Sequence, residues 1–379
     1  MKGIYLVSEM SCLYPGSGAS QHIRTGFDQL SKHFDMEALF PEAAPKPSSN
    51  ATAVSSDRQR NANVLDRSRL RGGLRDGKHF LGQLRYSTSI IREVQRKAPD
   101  FVYYRAAFLD PLPIFLRARG IPCIIEANGL QFEARRKYYR SPLECWNRHC
   151  EHRTYRLASH VFFVGSYGDY WKLPEQNWTN VENGVETEFL DRFQFPRPPR
   201  SGPLRIAFVG SLMQHHRPDV LVAAVSEFAD SHKAELHLIG SKLQPVADAL
   251  RGKLRVIEHG FLDRDALAAV LRDLDVGLVS GVPKYQSQMK LFDYGAARMA
   301  VVAPQTHHLQ GWHGDLLSFF PPGDASGMAA TLSQLAGDRE RVALLGNRLH
   351  ERIRERFTWD RIFAHKANVI SSLIARPDS

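Results

Sequence analysis

The stretch SQMKLFDYGAA, residues 287–297, lies between two strand-like runs at 275–280 and 300–303. Its apolar spacing predicts a helix, with Ser287 as the N-cap and Lys290 in the first turn. Lys290 and Asp293 stand three residues apart on one face of that helix. In open α/β sheets such a helix start lies at the crevice where ligands bind. Lysine at a helix N-terminus favours phosphate, and a carboxylate accepts hydrogen bonds from a sugar diol. The pair therefore predicts a nucleotide-sugar site; an ordinary surface ion pair is the alternative.

Strand-like and helix-like runs alternate along the rest of the chain, which predicts parallel strands joined by right-handed crossovers. Further strands are expected at 2–8, 36–41, 101–105, 122–127, 160–164, 205–209, 235–239 and 254–258. Helices are expected at 19–33, 79–97, 339–356 and 359–374. Residues 42–56 read as a long polar loop, and FQFPRPPRSGP at 193–203 reads as a hinge. The pattern indicates an α/β chain with two doubly wound domains.

Charge is distributed unevenly along the 379 residues, whose formal net charge is +10. Residues 57–97 contain eleven Arg or Lys against four Asp or Glu, which predicts an anionic partner such as a membrane surface. A solvated surface is the alternative. No run approaches the roughly 20 apolar residues of a membrane span, and the N-terminus begins as a strand, so a cytoplasmic protein is expected. Cys145, His149, Cys150 and His152 cluster without zinc-finger spacing, and no metal is expected there.

The segment SQMKLFDYGAARMAVVAP, residues 287–304, resembles the donor-binding segment of retaining GT-B glycosyltransferases, the family-four or group-one type. Other segments resemble the same family in matching order: YPGSGAS (14–20), PDFVYYRAAF (99–108), GIPCIIEANGLQFEARR (120–136), VENGVETEFLDRF (181–193), FVGSLMQHHRPD (208–219) and RFTWDRIFAHKANVI (356–370). The resemblance implies two Rossmann-like domains facing across a cleft. It implies an acceptor domain at 1–195, a nucleotide-sugar donor domain at 196–358, and a final helix at 359–379 that crosses back to the first domain.

The resemblance also implies a set of donor-binding residues. Asp293 would bind the nucleotide ribose, and Lys290 would lie near the diphosphate. The other implied positions are Gly16 and Gly18 in the first loop, Gly210, Ser211, His216 and Arg217 after the first strand of the second half, Gly260, Phe261 and Leu262 near the base, and Ser287 and Leu291 beside Lys290.

Four positions depart from the family pattern or leave a role open. Many members carry a second acid where this chain has Tyr285, and a glycine where it has Arg217. Arg217 would either supply charge to the diphosphate or point away from it. His216 would add charge only if its pKa were raised. Asp263 begins an Asp-Arg-Asp run that could hold a divalent ion but is more simply an N-cap.

In the first half, the resemblance places Arg105, Glu126, Asn128 and Glu133 at or just beyond the C-terminal ends of strands. Arg105, Glu126 and Asn128 are the predicted catalytic residues. Glu126 would orient or deprotonate an acceptor hydroxyl, with Asn128 holding it; a purely structural carboxylate is the alternative.

The predicted function is a retaining, metal-independent transfer of a hexose-type sugar from a nucleoside-diphosphate sugar, UDP or GDP, to a cell-surface or lipid-linked glycan. The nucleotide sugar is a co-substrate, and no other cofactor is expected. Residues 57–97 would dock the protein on an anionic membrane at the inner face of the plasma membrane. Alternatives are a nucleotide-sugar epimerase of the same fold, a catalytically degenerate binding protein, and a nucleic-acid binder, which lacks any motif beyond charge. No nucleic-acid partner is expected.

Overall fold

The computed structural model describes residues 1–8, 18–40, 69–105, 109–312 and 315–375. They form two compact units, one of residues 1–181 with 363–379, the other of residues 182–362. The predicted boundary lay at 195, but Val185, Phe189 and Phe193 pack in the core of the second unit. Within the described ranges, no helix has the length and apolar character needed to cross a membrane.

The first unit contains a parallel six-stranded sheet with the order β2-β1-β3-β4-β5-β6. Its strands are β1 (Lys2–Val7), β2 (Asp35–Leu39), β3 (Phe101–Arg105), β4 (Cys123–Ala127), β5 (His160–Val164) and β6 (Trp178–Val181). Its helices are α1 (Gly18–Ser31), α2 (Arg69–Lys97), α3 (Leu112–Arg117), α4 (Gln131–Tyr139), α5 (Glu144–Leu157) and α6 (Tyr167–Trp171). Strand β1 lies between β2 and β3, so the winding direction changes between β1 and β3.

The second unit contains another parallel six-stranded sheet, with the order β12-β11-β10-β7-β8-β9. Its strands are β7 (Leu204–Val209), β8 (Ala234–Ile239), β9 (Arg255–Gly260), β10 (Val276–Leu278), β11 (Ala300–Pro304) and β12 (Ser318–Phe320). Its helices are α7 (Thr187–Leu190), α8 (Pro218–Ala229), α9 (Gln244–Leu250), α10 (Arg264–Leu271), α11 (Met289–Ala296), α12 (Ala325–Gly337) and α13 (Arg339–Arg356). The last helix, α14 (Trp359–Ile374), begins in this unit, and its residues from Phe363 onward belong to the first.

Alternating residues of the second sheet enter two separate cores, which shows that both of its faces are covered. Ile206 and Phe208 of β7 pack in one core, and the intervening Ala207 packs in the other. These features confirm the predicted doubly wound α/β class.

Two local predictions were wrong. Helix α2 begins at Arg69 rather than 79, so Gly72, Gly73 and Gly77 are helical. Gly72 lies so close to the end of α4 that a Cβ would be 2.7 Å from the carbonyl oxygen of Arg140. Ser287 does not cap α11: Gln288 is the N-cap, without a side-chain cap bond, because the Ser287 hydroxyl is bonded elsewhere. The predicted N-cap at Asp263 is confirmed, since its carboxylate accepts a hydrogen bond from the Ala266 N–H at 2.8 Å.

Candidate active site

The second sheet changes winding direction between β7 and β10, and the chain leaving β7 passes directly into a glycine-lined region. Gly210 has φ +126° and Gly240, which follows β8, has φ +135°. A Cβ on Gly240 would lie 2.3 Å from the Gly210 carbonyl oxygen, so only glycine permits this approach. The Gly240 N–H in turn donates to the carbonyl of Gly260 at 2.7 Å. The predicted regions at Gly210 and Gly260 therefore lie side by side with Gly240, at the carboxyl ends of β7, β8 and β9.

Helix α11 is attached to this switch point by Tyr294. The Tyr294 hydroxyl accepts a hydrogen bond from the Val209 N–H at 2.8 Å and lies 3.3 Å from the Leu278 carbonyl oxygen. It therefore joins the ends of β7 and β10 where they diverge. The ring packs against Gly277, where a Cβ would come within 2.3 Å of it. This contact fixes the first turn of α11 beside Gly210.

Lys290 is buried in that first turn, and its ammonium has no hydrogen-bond acceptor among the described residues. The Nζ atom lies 4.1 Å from the centre of the Phe208 ring. It is also 3.6 Å from the position a Cβ on Gly210 would occupy. Burial lowers the pKa of Lys290 to about 7. A buried, unpaired amine is costly to keep unless a ligand supplies the missing negative charge.

His216 lies close to Lys290 as a neutral imidazole. Its Nδ1 is 2.9 Å from the Ser211 carbonyl oxygen, so the proton is on Nδ1 and Nε2 carries a lone pair. Burial, followed by the charge of Lys290, lowers the pKa of His216 to about 3. His216 therefore does not have the raised pKa that would let it carry a charge at the diphosphate. The Ser211 hydroxyl is bonded to that of Ser241 at 2.6 Å.

Arg217 occupies the left-handed conformation, with φ +50°, which explains why a glycine suits this position. Its side chain is 47% exposed, and its Nη2 is 2.6 Å from a carboxylate oxygen of Asp219. Arg217 thus pairs with Asp219 in this structure, and its contact with a diphosphate stays a prediction. The buried cation in this region is Lys290.

Asp293 does not pair with Lys290, so the alternative of a surface ion pair between them is wrong. Its carboxylate accepts a hydrogen bond from Arg264 Nη1 at 2.7 Å, and Arg264 also binds Glu186. The Arg264 guanidinium lies 3.8 Å from the centre of the Phe189 ring. Burial raises the pKa of Asp293, and the charge of Arg264 opposes that rise. Sequence analysis missed Arg264 and Glu186; the only signal was the position of Arg264 directly after the helix cap.

The remaining donor-side predictions lie around these groups. Gly260 has φ +66°, Phe261 is 71% exposed, and Leu262 packs against the core. Leu291 is a core residue. The Ser287 hydroxyl donates a hydrogen bond to Glu182 Oε2 at 2.6 Å. The same oxygen lies 3.2 Å from His308 Nε2.

Glu126, in the first unit, is fully buried, and the structure surrounds it with donors. They are Lys366 Nζ at 2.7 Å, the Tyr103 hydroxyl at 2.5 Å, Arg105 Nη1 at 3.2 Å and Asn128 Nδ2 at 3.3 Å. His22 Nε2 lies 3.5 Å from the same carboxylate. Burial opposes ionisation, but Lys366, His22 and Arg105 together hold the pKa of Glu126 well below its ordinary value. A buried carboxylate with so low a pKa is a weak proton acceptor, and its geometry suits holding Arg105 and Asn128 in place.

The other residues predicted in the first unit are either near its surface, at the end of a strand or helix, or outside the described residues. Glu133 is in the first turn of α4, 3.9 Å from Arg136. Gly18 begins α1, whereas Gly16 lies outside the described residues. Arg105 ends β3, beside the winding change of the first sheet.

Known proteins share this architecture. Residues 203–338 match the family model described as glycosyl transferases group 1. The chain has the GT-B fold, and most of its second unit matches the group 1 glycosyltransferase model. Sucrose-phosphate synthase from Thermosynechococcus elongatus is 16% identical, with a TM-score of 0.71 over 99% of this chain and 100% of that one. Anabaena Alr3699/HepE in complex with UDP-glucose is 11% identical, with a TM-score of 0.67 over 98% and 99%.

An α,α-trehalose-phosphate synthase (UDP-forming) from Burkholderia xenovorans, in complex with glucose-6-phosphate, is also similar to this chain. It is 14% identical, with a TM-score of 0.63 over 98% of this chain and 100% of that one. No curated protein matches the chain in sequence. The matched segment 203–338 contains Gly210, Lys290 and Asp293, so these three candidate residues lie inside the segment that matches the family model.

Proposed function

We propose that this protein is a cytoplasmic glycosyltransferase that moves a hexose-type sugar from a UDP sugar to a cell-surface or lipid-linked glycan. The transfer retains the anomeric configuration and needs no metal. The observation that carries the proposal is Lys290, whose buried ammonium lies beside Gly210 with no acceptor among the described residues. A diphosphate is the anion that fits a lysine near a helix start and a glycine-lined strand end.

The neighbouring groups supply the remaining parts of a nucleotide site. Asp293 retains a second carboxylate oxygen beside the one bonded to Arg264, and this oxygen can accept a hydrogen bond from a ribose hydroxyl. Gly260 and exposed Phe261 lie at the adjoining strand end and fit a role at the base. The similar Anabaena structure is a complex with UDP-glucose, which favours UDP over GDP here.

The chemistry we propose is stabilisation of the leaving diphosphate. Negative charge grows on the phosphate oxygens as the glycosidic bond breaks, and Lys290 would neutralise it in a water-poor environment. Its pKa of about 7 means that phosphate charge must hold the proton on the amine at neutral pH.

We propose that the first unit binds the acceptor. Arg105 and Asn128 would contact it at the carboxyl ends of β3 and β4, and Glu126 would act as a positioning residue that holds both side chains.

Thermal-shift and calorimetric titration with UDP, GDP and ADP test the donor site. UDP should stabilise the protein, and Asp293→Asn and Lys290→Met should each weaken that effect. Asp230→Asn is the matched control, because Asp230 is an exposed acid of the same unit, paired with Lys253. Absence of stabilisation by any nucleotide would refute the donor site.

A second candidate is a nucleotide-sugar-binding protein or an epimerase, because Tyr285 stands where many family members have an acid and packs against His307. An NMR time course of the UDP sugar separates these functions. Transfer requires an added acceptor and gives a product with the donor's anomeric configuration; epimerisation proceeds without one, and a binding protein leaves the donor unchanged. Activity that persists in EDTA would support metal independence.

A further inference from the structure

The exposed face of α2 carries alternating basic and leucine side chains, a set called here the basic–leucine stripe: Arg71, Leu74, Lys78, Leu81 and Arg85. Their spacing of three and four residues places them along one side of the helix. Leu74 is 73% exposed and Leu81 is 55% exposed. At 1.5 Å per residue, the stripe extends over about 21 Å.

The opposite face of α2 is anchored by buried polar contacts, which fixes the outward direction of the stripe. Asp76 accepts hydrogen bonds from Arg135 Nε at 2.8 Å and Asn147 Nδ2 at 3.0 Å. About three turns further along the same face, the Ser87 hydroxyl donates a hydrogen bond to Asp110 at 2.7 Å. Rotating the helix to bury its leucines would break these bonds and leave buried polar groups unsatisfied. The leucines therefore remain outside by construction.

Aromatic side chains lie beside the stripe. Tyr138 and Tyr139 are exposed at the end of α4. The Arg75 guanidinium lies 5.3 Å from the centre of the Tyr139 ring, so the two elements meet at this edge. Leucine with basic and aromatic side chains is the composition of helices that lie in a membrane interface.

We propose that the basic–leucine stripe docks the protein on an anionic lipid bilayer. Leu74 and Leu81 enter the boundary between headgroups and acyl chains, while Arg71, Lys78 and Arg85 contact lipid phosphates. The charge of the stripe is complementary to an anionic leaflet. A nucleic acid would use the basic residues but would gain nothing from the leucines, so the leucines favour lipid. This inference goes beyond sugar transfer and can be tested without a nucleotide.

Co-sedimentation of the full-length protein with phosphatidylcholine vesicles, with and without phosphatidylglycerol, tests the proposal. Binding is expected only to the anionic vesicles and should weaken as salt rises. Lys78→Ala with Arg85→Ala should weaken it about 30-fold, since each basic residue near the surface contributes about fivefold and the two factors multiply. Leu74→Ser with Leu81→Ser should weaken it by about tenfold or more.

Leu344→Ser is the matched control, because Leu344 is a 48% exposed leucine on a helix of the other unit. It should leave vesicle binding unchanged, and an unchanged unfolding temperature will show that every variant is folded. Vesicle binding that survives both double substitutions would overturn the proposal. The proposal would also be overturned if only the Lys78→Ala, Arg85→Ala variant lost vesicle binding and a single-stranded oligonucleotide displaced the wild-type protein from vesicles. That result would assign the surface to polyanions.

Discussion

Replacing Lys290 with methionine should make the free protein more stable while weakening its nucleotide binding. Burial lowers the pKa of this amine from 10.5 to about 7, so the folded state holds its proton poorly. At pH 7 that shift corresponds to a penalty of about 4 kcal/mol, at about 1.4 kcal/mol per pKa unit. Structural relaxation recovers part of this penalty, and we expect methionine to raise the free energy of unfolding by about 2 to 4 kcal/mol.

The gain should depend on pH in a defined direction. Because the pKa of Lys290 is lower in the folded state, the penalty is complete below about pH 7 and fades as the pH rises toward 10.5. Urea denaturation at several pH values should therefore show the largest difference between the two proteins at pH 7 and below. Lys233→Met is the control, since Lys233 is an exposed lysine of the same unit and should change stability little at any pH.

Loss of nucleotide binding is the second half of this prediction. A charged hydrogen bond contributes about 1.5 to 3 kcal/mol, so Lys290→Met should bind UDP about 10- to 100-fold more weakly by calorimetry. Lys290→Met that is no more stable than the wild type at pH 7 would contradict the burial argument. Unchanged affinity for UDP would contradict the assignment of Lys290 to the diphosphate.

Three further predictions follow from the other contacts. Arg264→Met and Asp293→Asn should each weaken UDP binding about tenfold. The double variant should bind UDP little more weakly than either, because both changes affect one hydrogen-bonded unit. Additive losses of binding free energy in a calorimetric cycle would argue against this. Arg217→Gly should raise the free energy of unfolding by about 1 kcal/mol by relieving a left-handed backbone, with UDP affinity nearly unchanged; a large loss of affinity would place the guanidinium on the diphosphate. Lys366→Met should lower the free energy of unfolding by about 3 to 5 kcal/mol in urea titrations, because Glu126 loses its nearest cation. Adding Glu126→Gln should restore part of that free energy. No recovery would show that the unpaired charge of Glu126 is not the cause of the loss.

The alternation of strands and helices was predictable from local patterns because each buried strand is a short apolar run between turns. That pattern carried both doubly wound sheets. It failed at the start of α2, which was predicted at 79 and lies at Arg69, so that Gly72, Gly73 and Gly77 are helical. Asp76 in this stretch is held by Arg135 and Asn147, which lie far along the chain. It also failed at Ser287, whose hydroxyl bonds to Glu182 rather than to the start of α11.

Local sequence also placed Lys290 and Asp293 on one helix near a strand end, which was enough to predict a site for an anionic sugar ligand. Only the tertiary structure decided their electrostatic states. Arg264 is close in space but 29 residues from Asp293, and it pairs with that carboxylate. Lys290 lies against Phe208 and Gly210, which have no charge to offer. Burial and partners depend on contacts between distant segments, and these contacts leave one charge paired and the other without an acceptor among the described residues.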